Sequence, residues 1–305
     1  MQPRVVSVNT APSKGEKKSP TDHITLIAGQ GVEADAHFGG DRQVSLLAEE
    51  SIDKGRAAGM ELNPGDFGEN LTVEGIDLLS MGIGRRLQVG ETILQISEIG
   101  KVCHEPCNIG KRLGDCIMPR EGVFAKVLRG GRISPGDSIE PTALKVGAVL
   151  TSSDRCSRGE REDESGPVLI HLLGELGVVL ADYSVLPDDE RTLSDKLTFL
   201  ADRCAVDVIL TTGGTGFSVR DRMPEATIAV LGSPASGISE ALRHEGMSHT
   251  PHACLSRGVS GLRGRTLIIN LPGSRRAVEE GSAFLQTILT HALEVIRSEV
   301  SECGR

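Results

Sequence analysis

The chain of 305 residues has no tryptophan, one tyrosine and six phenylalanines, so aromatic residues make up only 2% of it. Binding single-stranded nucleic acid calls for aromatic stacking platforms beside a basic groove. This chain has few of the first, and its formal charge of -9, from 33 Lys+Arg against 42 Asp+Glu, argues against the second. Nucleic acid is therefore not an expected partner. Long apolar runs are also missing: nowhere is there a stretch of about 20 apolar residues, the length a helix needs to cross a bilayer. Met1 to Thr10 lacks the apolar centre of a signal peptide. Seven cysteines, an odd number, do not make the framework of a secreted disulfide protein. Reduced thiols in a cytoplasmic setting, with no membrane partner, are the expectation.

What is present falls into two grammars. Residues 1–140 are dominated by short alternating segments punctuated by glycine, such as Arg86 to Ile96, and by the turn formers Pro64-Gly65-Asp66 and Pro135-Gly136-Asp137. That pattern predicts a mostly-β barrel, with helices only over Leu46 to Ala58 and Gly122 to Leu128. Residues 141–305 alternate strands and helices. Strands are expected over Lys145 to Ser152, Val178 to Leu186, Val206 to Leu210 and Thr266 to Leu271, with helices over Gly166 to Leu176, Thr192 to Cys204 and Ser274 to Val300. Such alternation predicts an α/β doubly wound parallel sheet whose ligand lies beyond the carboxyl ends of its strands.

The most informative stretch is I-L-T-T-G-G-T-G-F-S-V-R-D-R-M-P-E-A-T, from Ile209 to Thr227. A buried strand runs into Gly213, Gly214 and Gly216, which let an anion approach the main-chain N–H groups closely. Thr212 and Thr215 add hydroxyl donors, and Pro224 suits the first turn of a helix. The glycines are followed by no Gly-Lys-Ser/Thr and do not form G-x-G-x-x-G, so neither a P-loop nor a dinucleotide turn is present. A plain tight turn is the alternative, against which Asp221 weighs. A carboxylate beside a phosphate cradle calls for a cation, and Mg²⁺ is the usual bridge.

Four loops follow the four expected strands: Ser152-Ser153-Asp154-Arg155, Pro187-Asp188-Asp189-Glu190, the glycine cradle with Asp221, and Asn270-Leu271-Pro272-Gly273-Ser274-Arg275-Arg276. Together with D-E-S-G-P at Asp163 to Pro167, these motifs resemble the molybdopterin adenylyltransferase family of molybdenum-cofactor biosynthesis, in the right order over about Lys145 to Arg297. The resemblance implies transfer of AMP from Mg-ATP to the terminal phosphate of molybdopterin. It also implies self-association, as a trimer, and handover to other molybdenum-cofactor enzymes. Asp188 and Asp221 match the family's important acidic residues and are the candidates for catalysis and Mg²⁺. Thr212, Gly213, Gly214, Thr215 and Gly216 are the candidate phosphate cradle. Ser153, Asp154, Asn270, Pro272, Gly273, Ser274 and Arg275, with Arg276 beside them, are candidates for the pterin side. Two plainer readings stay open: Asp188 as a helix N-cap, and Arg275 and Arg276 as a solvated helix start. His249, His252 and Cys254 are metal-ligating residue types that match no family motif.

In the first half, Gly39-Gly40-Asp41-Arg42-Gln43-Val44, Asn63 to Thr72 and Gly100-Lys101-Val102-Cys103-His104-Glu105-Pro106-Cys107 resemble the MOSC domain, over about Val5 to Glu140. This implies a barrel that binds the molybdenum cofactor or carries sulfur to it. The resemblance also implies one cysteine as the key thiolate: Cys103 aligns best with it and is the candidate molybdenum ligand, with Cys107 as runner-up. Lys101 or Arg112 nearby would lower the thiol pKa. Alternatives are a zinc site from Cys103, His104, Cys107 and Cys116, although paired C-x-x-C ligands are lacking, and inert core cysteines. Asp66, Glu69 and Asn70 either line a cofactor pocket or satisfy loop backbone. The chain is expected to be a fused enzyme of cofactor assembly, and the rival reading is a non-enzymatic carrier of molybdopterin or finished cofactor.

Overall fold

The computed structural model describes residues 2–57, 59–100 and 116–297. The chain divides into two compact units, Met1–Ala143 and Leu144–Arg305. No helix among the described residues is long and apolar enough to cross a membrane.

In the first unit, strands β1 (Arg4–Thr10), β2 (Ser19–Thr21), β3 (Ile24–Ile27), β4 (Gly31–Val32) and β5 (Val44–Ala48) precede helix α1 (Glu49–Ala57). There follow β6 (Leu71–Glu74), α2 (Leu78–Met81), β7 (Arg86–Val89), β8 (Thr92–Ile99), α3 (Met118–Glu121), β9 (Val123–Arg129), β10 (Gly131–Ile133) and β11 (Ile139–Thr142). Eight strands form one sheet in the order β11-β7-β8-β9-β5-β6-β1-β2, and β10-β3-β4 form another. Backbone bonds also tie β1 to the chain around the start of β11. Val5 N donates to Asp137 O and Gly136 N to Val5 O, both at 2.8 Å, and Ile139 N donates to Pro3 O at 3.2 Å. The core between these strands is aliphatic, with Val8, Leu46, Leu71, Leu94, Ile96 and Val127 all buried.

Three expectations fail here, the first being that the unit has no helix elsewhere: α2 and α3 lie outside both stretches expected to be helical. Gly122 to Leu128 is not helical, because Val123–Arg129 is strand β9, paired antiparallel with both β8 and β5. Its apolar residues Val123, Phe124, Ala125, Val127 and Leu128 are buried on both faces around a half-buried Lys126, so the apolar positions show no period of two to mark a strand. The first helix does not begin at Leu46. Leu46 and Leu47 are buried in β5, and helix starts only at Glu49, where Glu49 and Glu50 put negative charge on its N-terminal turn.

The second unit contains β12 (Lys145–Ser152), α4 (Asp154–Ser157), α5 (Gly166–Glu175), β13 (Val178–Leu186), α6 (Glu190–Thr198), β14 (Val208–Thr212) and α7 (Met223–Val230). It continues with β15 (Ser233–Pro234), α8 (Ser236–His249), β16 (Ser260–Arg263), β17 (Thr266–Leu271) and α9 (Arg275–Ile296). The sheet order is β13-β12-β14-β17-β16-β15. Its first four strands are parallel and its last two antiparallel. Alternate residues Val149, Leu210 and Ile269 share one apolar cluster with Leu172 and Leu173 of α5 and Leu285 and Leu289 of α9. The intervening Leu150, Ile209 and Ile268 are buried as well, as side chains alternating across a sheet covered on both faces must be. From β12 the chain moves outward to β13 and then back across to β14, so the winding reverses between β12 and β14. That is the topological switch point at which open α/β sheets hold ligands.

The three strands β12, β13 and β17 occupy the positions expected from the sequence. By contrast, β14 starts and ends two residues later, and α6 gives way at Phe199 to one wider, π-type turn, Phe199–Arg203. The antiparallel edge was not foreseen. One of its strands is only Ser233-Pro234, and the other carries Gly261, where a Cβ would lie 2.5 Å from Ser233 O and which breaks the apolar pattern.

Candidate functional site

At the switch point the ends of β12, β13, β14 and β17 bring their loops together. Gly213 and Gly214 both have left-handed backbone, with φ of 86° and 62°. A Cβ on Gly213 would sit 2.2 Å from Ser152 O, so only glycine lets the loop after β14 lie against the end of β12. Asp188, from the loop after β13, reaches the same place. Ser152 Oγ donates to Asp188 Oδ1, Asp154 N donates to Asp188 Oδ2 at 3.1 Å, and Asp188 N returns a bond to Asp154 Oδ1 at 3.1 Å. A Cβ on Gly214 would lie 3.1 Å from Asp188 Oδ1. The N-cap of α6 is Asp189, whose carboxylate accepts from Thr192 N at 2.8 Å, so capping does not account for Asp188.

Asp221 closes the other side of the cradle. Its Oδ2 accepts from Ser218 N at 2.9 Å, and a Cβ on Gly216 would lie 2.8 Å from that oxygen. Met223 N then donates to Gly214 O at 3.2 Å, so α7 starts directly beneath the glycines, with Pro224 in its first turn.

The loop after β17 meets the cradle through backbone. Thr212 Oγ1 donates to Pro272 O at 2.7 Å, and a Cβ on Gly273 would stand 3.1 Å from Gly213 Cα. Ser274 caps α9 by accepting from Ala277 N at 3.3 Å. Asn270 is buried. Its Nδ2 donates to Thr211 Oγ1 at 2.9 Å and Thr227 Oγ1 at 3.0 Å, while Oδ1 accepts from Val259 N at 3.2 Å. That side chain therefore anchors the loop. Arg275 pairs with exposed Glu279 and Arg276 with Glu280, a largely buried residue of the same helix, each at 2.9 Å.

A cavity of about 460 Å³ opens between these loops, lined by Gly214, Thr215, Gly216 and Asp221 on one side and by Asn270, Pro272, Gly273 and Ser274 on another. Its remaining wall is built by α8 and the turn that follows, through Leu242, Arg243, Gly246, His252 and Leu255, and by Ala277, Glu280 and Gly281 of α9. The sequence carried no motif for that wall. Ser153, Asp154, Asp188, Thr212, Gly213 and Arg275 do not line this cavity: Ser153 caps α4 by accepting from Cys156 N at 3.2 Å, Asp154 holds Asp188, and Asp188 lies against Gly214 at the end of β12. Asp163 of the D-E-S-G-P motif braces the end of β12 from behind. Burial pushes its carboxyl up, but bonds from Thr151 Oγ1, Tyr183 OH and the amides of Ser165 and Gly166 outweigh burial and hold it below the usual range.

In the first unit, Cys103 and Cys107 lie outside the described residues, with Lys101, His104 and Arg112. Cys116 is half-buried against a cluster that includes Leu47, Phe67 and Phe124. Asp66, Glu69 and Asn70 satisfy loop backbone and a buried polar network. Asp66 Oδ2 accepts from Asn63 N at 2.9 Å, and Glu69 Oε1 accepts from Gly65 N and from Thr72 Oγ1. Asn70 Nδ2 donates to Asp35 Oδ2 at 3.2 Å, and the same oxygen accepts from buried Lys18 Nζ at 2.7 Å. In the second unit, His249 lies 3.6 Å from Glu280. Among the described residues no group of three or more His, Cys, Asp and Glu is arranged to hold a metal.

A family model described as "Probable molybdopterin binding domain" matches residues 148–291, and one described as "MOSC domain" matches residues 33–140. The chain is 41% identical over 154 residues to the molybdenum cofactor synthesis protein cinnamon of Drosophila melanogaster, covering 50% of this chain and 26% of that one. It is 38% identical over 164 residues to the molybdenum cofactor biosynthesis bifunctional protein of Synechococcus elongatus, covering 52% and 50%. The chain thus spans about a quarter and about half of the length of these two relatives. With the molybdopterin adenylyltransferase of Helicobacter pylori (strain J99) the identity is 37% over 134 residues, covering 43% of this chain and 76% of that one. With the first family model falling inside the second unit, where the strand-end loops meet, the chain belongs to the molybdopterin adenylyltransferase family and carries a MOSC domain before it.

Proposed function

We propose that the second unit transfers AMP from Mg-ATP to the terminal phosphate of molybdopterin and releases pyrophosphate. The observation that carries this reading is the convergence of Gly214, Asp221 and Ser274 on one cavity of about 460 Å³, within the usual size range of ligand pockets. An oxygen of the pterin phosphate forms a bond to the α-phosphorus of ATP, and the bond from that phosphorus to the oxygen bridging the β-phosphate breaks. Several negative charges must be held in line, so the work of the protein is positioning and neutralisation. The N–H groups of Gly213 to Gly216 are the donors for the nucleotide phosphates, and the Pro272 to Ser274 loop faces the pterin phosphate end.

Asp221 and Asp188 offer the hard carboxylate oxygens that Mg²⁺ takes, one or two at a time, together with substrate phosphates. The bonds from Ser218 N, Ser152 Oγ and Asp154 N leave lone pairs on those carboxylates. When bound, the ion neutralises charge on the phosphates. Arg275 and Arg276 already have glutamate partners, so the pterin side rests more on Ser274 and the loop backbone than on those guanidinium groups.

For the first unit we propose a closed barrel that binds the molybdenum cofactor or carries sulfur to it, with Cys103 as thiolate and Cys107 as the alternative. The bonds joining Val5 to Gly136 and Asp137 support closure. Incubating the purified chain with Mg-ATP and molybdopterin and seeking adenylylated pterin by mass spectrometry tests the first proposal. A carrier would bind pterin and leave ATP intact. Metal and sulfur analysis of Cys103→Ser against Cys107→Ser tests the second.

A further inference from the structure

Between Gly216 and Asp221 the chain leaves the cradle, exposes Phe217 and Val219, and returns to start α7. Within the excursion itself Asp221 is held only by its exchange with Ser218. The two feet of the loop are fixed from outside by Arg257, in the segment between α8 and β16. Arg257 N donates to Thr215 O at 2.9 Å. From the side chain, Nε donates to Gly216 O at 2.7 Å, Nη2 to Asp221 O at 2.8 Å, and Nη1 to Glu225 Oε1 in the first turn of α7. One planar fork thus spans the exit from the cradle, the carbonyl of the acidic residue and the helix beneath them. The guanidinium is about one-third exposed; it does not line the 460 Å³ cavity but a more open cleft on the outer side of the loop, with Phe217, Asp221 and Glu225.

We propose that Arg257 is a positioning residue which sets the separation between the phosphate cradle and the Asp221 carboxylate, and so governs turnover without touching substrate. The proposal rests on the adenylyl-transfer reading and deepens it. Geometry selects arginine here. A lysine keeps the charge but is a single point on a flexible stem, unable to replace a rigid fork at three separate acceptors. The pterin side of the cavity, at Pro272 to Ser274, makes none of these bonds, so affinity for molybdopterin should not depend on Arg257.

The test compares the full chain with R257K and R257A for AMP transfer, molybdopterin affinity, thermal midpoint and hydrogen exchange over residues 216–222. Expected are a fall in kcat of about 100-fold in both variants, the scale of a roughly 1 Å misplacement, with unchanged pterin affinity, unchanged thermal midpoint and faster exchange in that segment. Wild-type turnover in R257K overturns the proposal, as does an equal loss of turnover and pterin affinity, or a loss of the fold. Should the unaltered chain transfer no AMP, the adenylylation reading fails on its own. Exchange then decides the brace, and unchanged exchange in R257K overturns it.

Discussion

The backbone amides of Asp154 and Asp188 each donate to the other's carboxylate, at 3.1 Å in both directions. This exchange locks the loop after β12 to the loop after β13 and fixes the Asp188 carboxylate beside the cradle. Asp188→Ala is expected to abolish adenylylation. Asp154→Ala removes one acceptor and lets Asp188 rotate, so kcat/KM should fall roughly tenfold, about 1.4 kcal/mol of transition-state stabilisation. Steady-state kinetics on the two variants checks this, and equal activity in Asp188→Ala and the parent chain would refute the role given to that carboxylate.

Asp221→Ala should remove adenylylation while leaving the thermal midpoint close to that of the parent. The carboxylate holds only its own turn, through Ser218 N, and carries no core contact. Isothermal titration with Mg-ATP should show weakened nucleotide binding, with molybdopterin binding intact.

Adding a methyl group at Gly213 has two consequences at once. The residue would be held at a φ of 86°, and its Cβ would be driven to 2.2 Å from Ser152 O. Gly213→Ala should therefore cost about 1–3 kcal/mol of stability and disable phosphate binding. A melting curve and a nucleotide titration measure the two effects separately.

Much of the second unit was legible because β12 and β17 are buried runs and β13 is a half-buried apolar run, each ended by a polar loop, so each strand end and its loop declared itself locally. β9 was not: in V-F-A-K-V-L-R the five apolar residues are buried on both faces, with only Lys126 half-buried and Arg129 exposed, and show no alternation to read. For the candidate site, Gly213, Gly214, Asp221 and Ser274 were marked by a motif, whereas Arg257 lies 36 residues from Asp221 and belongs to none. Its function exists only through folding, as do the cavity wall from α8 and the bond from Ser152 Oγ to Asp188. At Arg275 and Arg276 the sequence shows the charge but not its pairing. Their charge at a helix start suggested an anion, while Glu279 and Glu280, one turn on, already pair with them.

The first unit should respond to pH through Glu69. Burial pushes its carboxyl up from 4.5 to about 7, against the bonds from Gly65 N and Thr72 Oγ1, and Oε2 has no hydrogen-bond partner among the described residues. Because the folded state holds this proton more tightly than the unfolded one, the stabilisation is complete below about 4.5 and is lost as pH rises through about 7. The loss should approach about 3 kcal/mol. Asp35 behaves oppositely. Burial raises its carboxyl, but His37 and Lys18 together hold it well below the usual range, so its contribution is lost only in acid. Denaturant unfolding between pH 5 and 8 should show the slope in the parent chain and a much flatter line in E69Q.

At Gly213 and Gly273 the main chains of two loops touch with no side chain between them. If one loop grips a nucleotide and the other a pterin phosphate, no adjustable group separates the two grips. A shift at this contact displaces both grips together, whereas one confined to the Gly216 to Asp221 side leaves the pterin grip in place, so the reacting phosphates are aligned as a pair at Gly213 and Gly273.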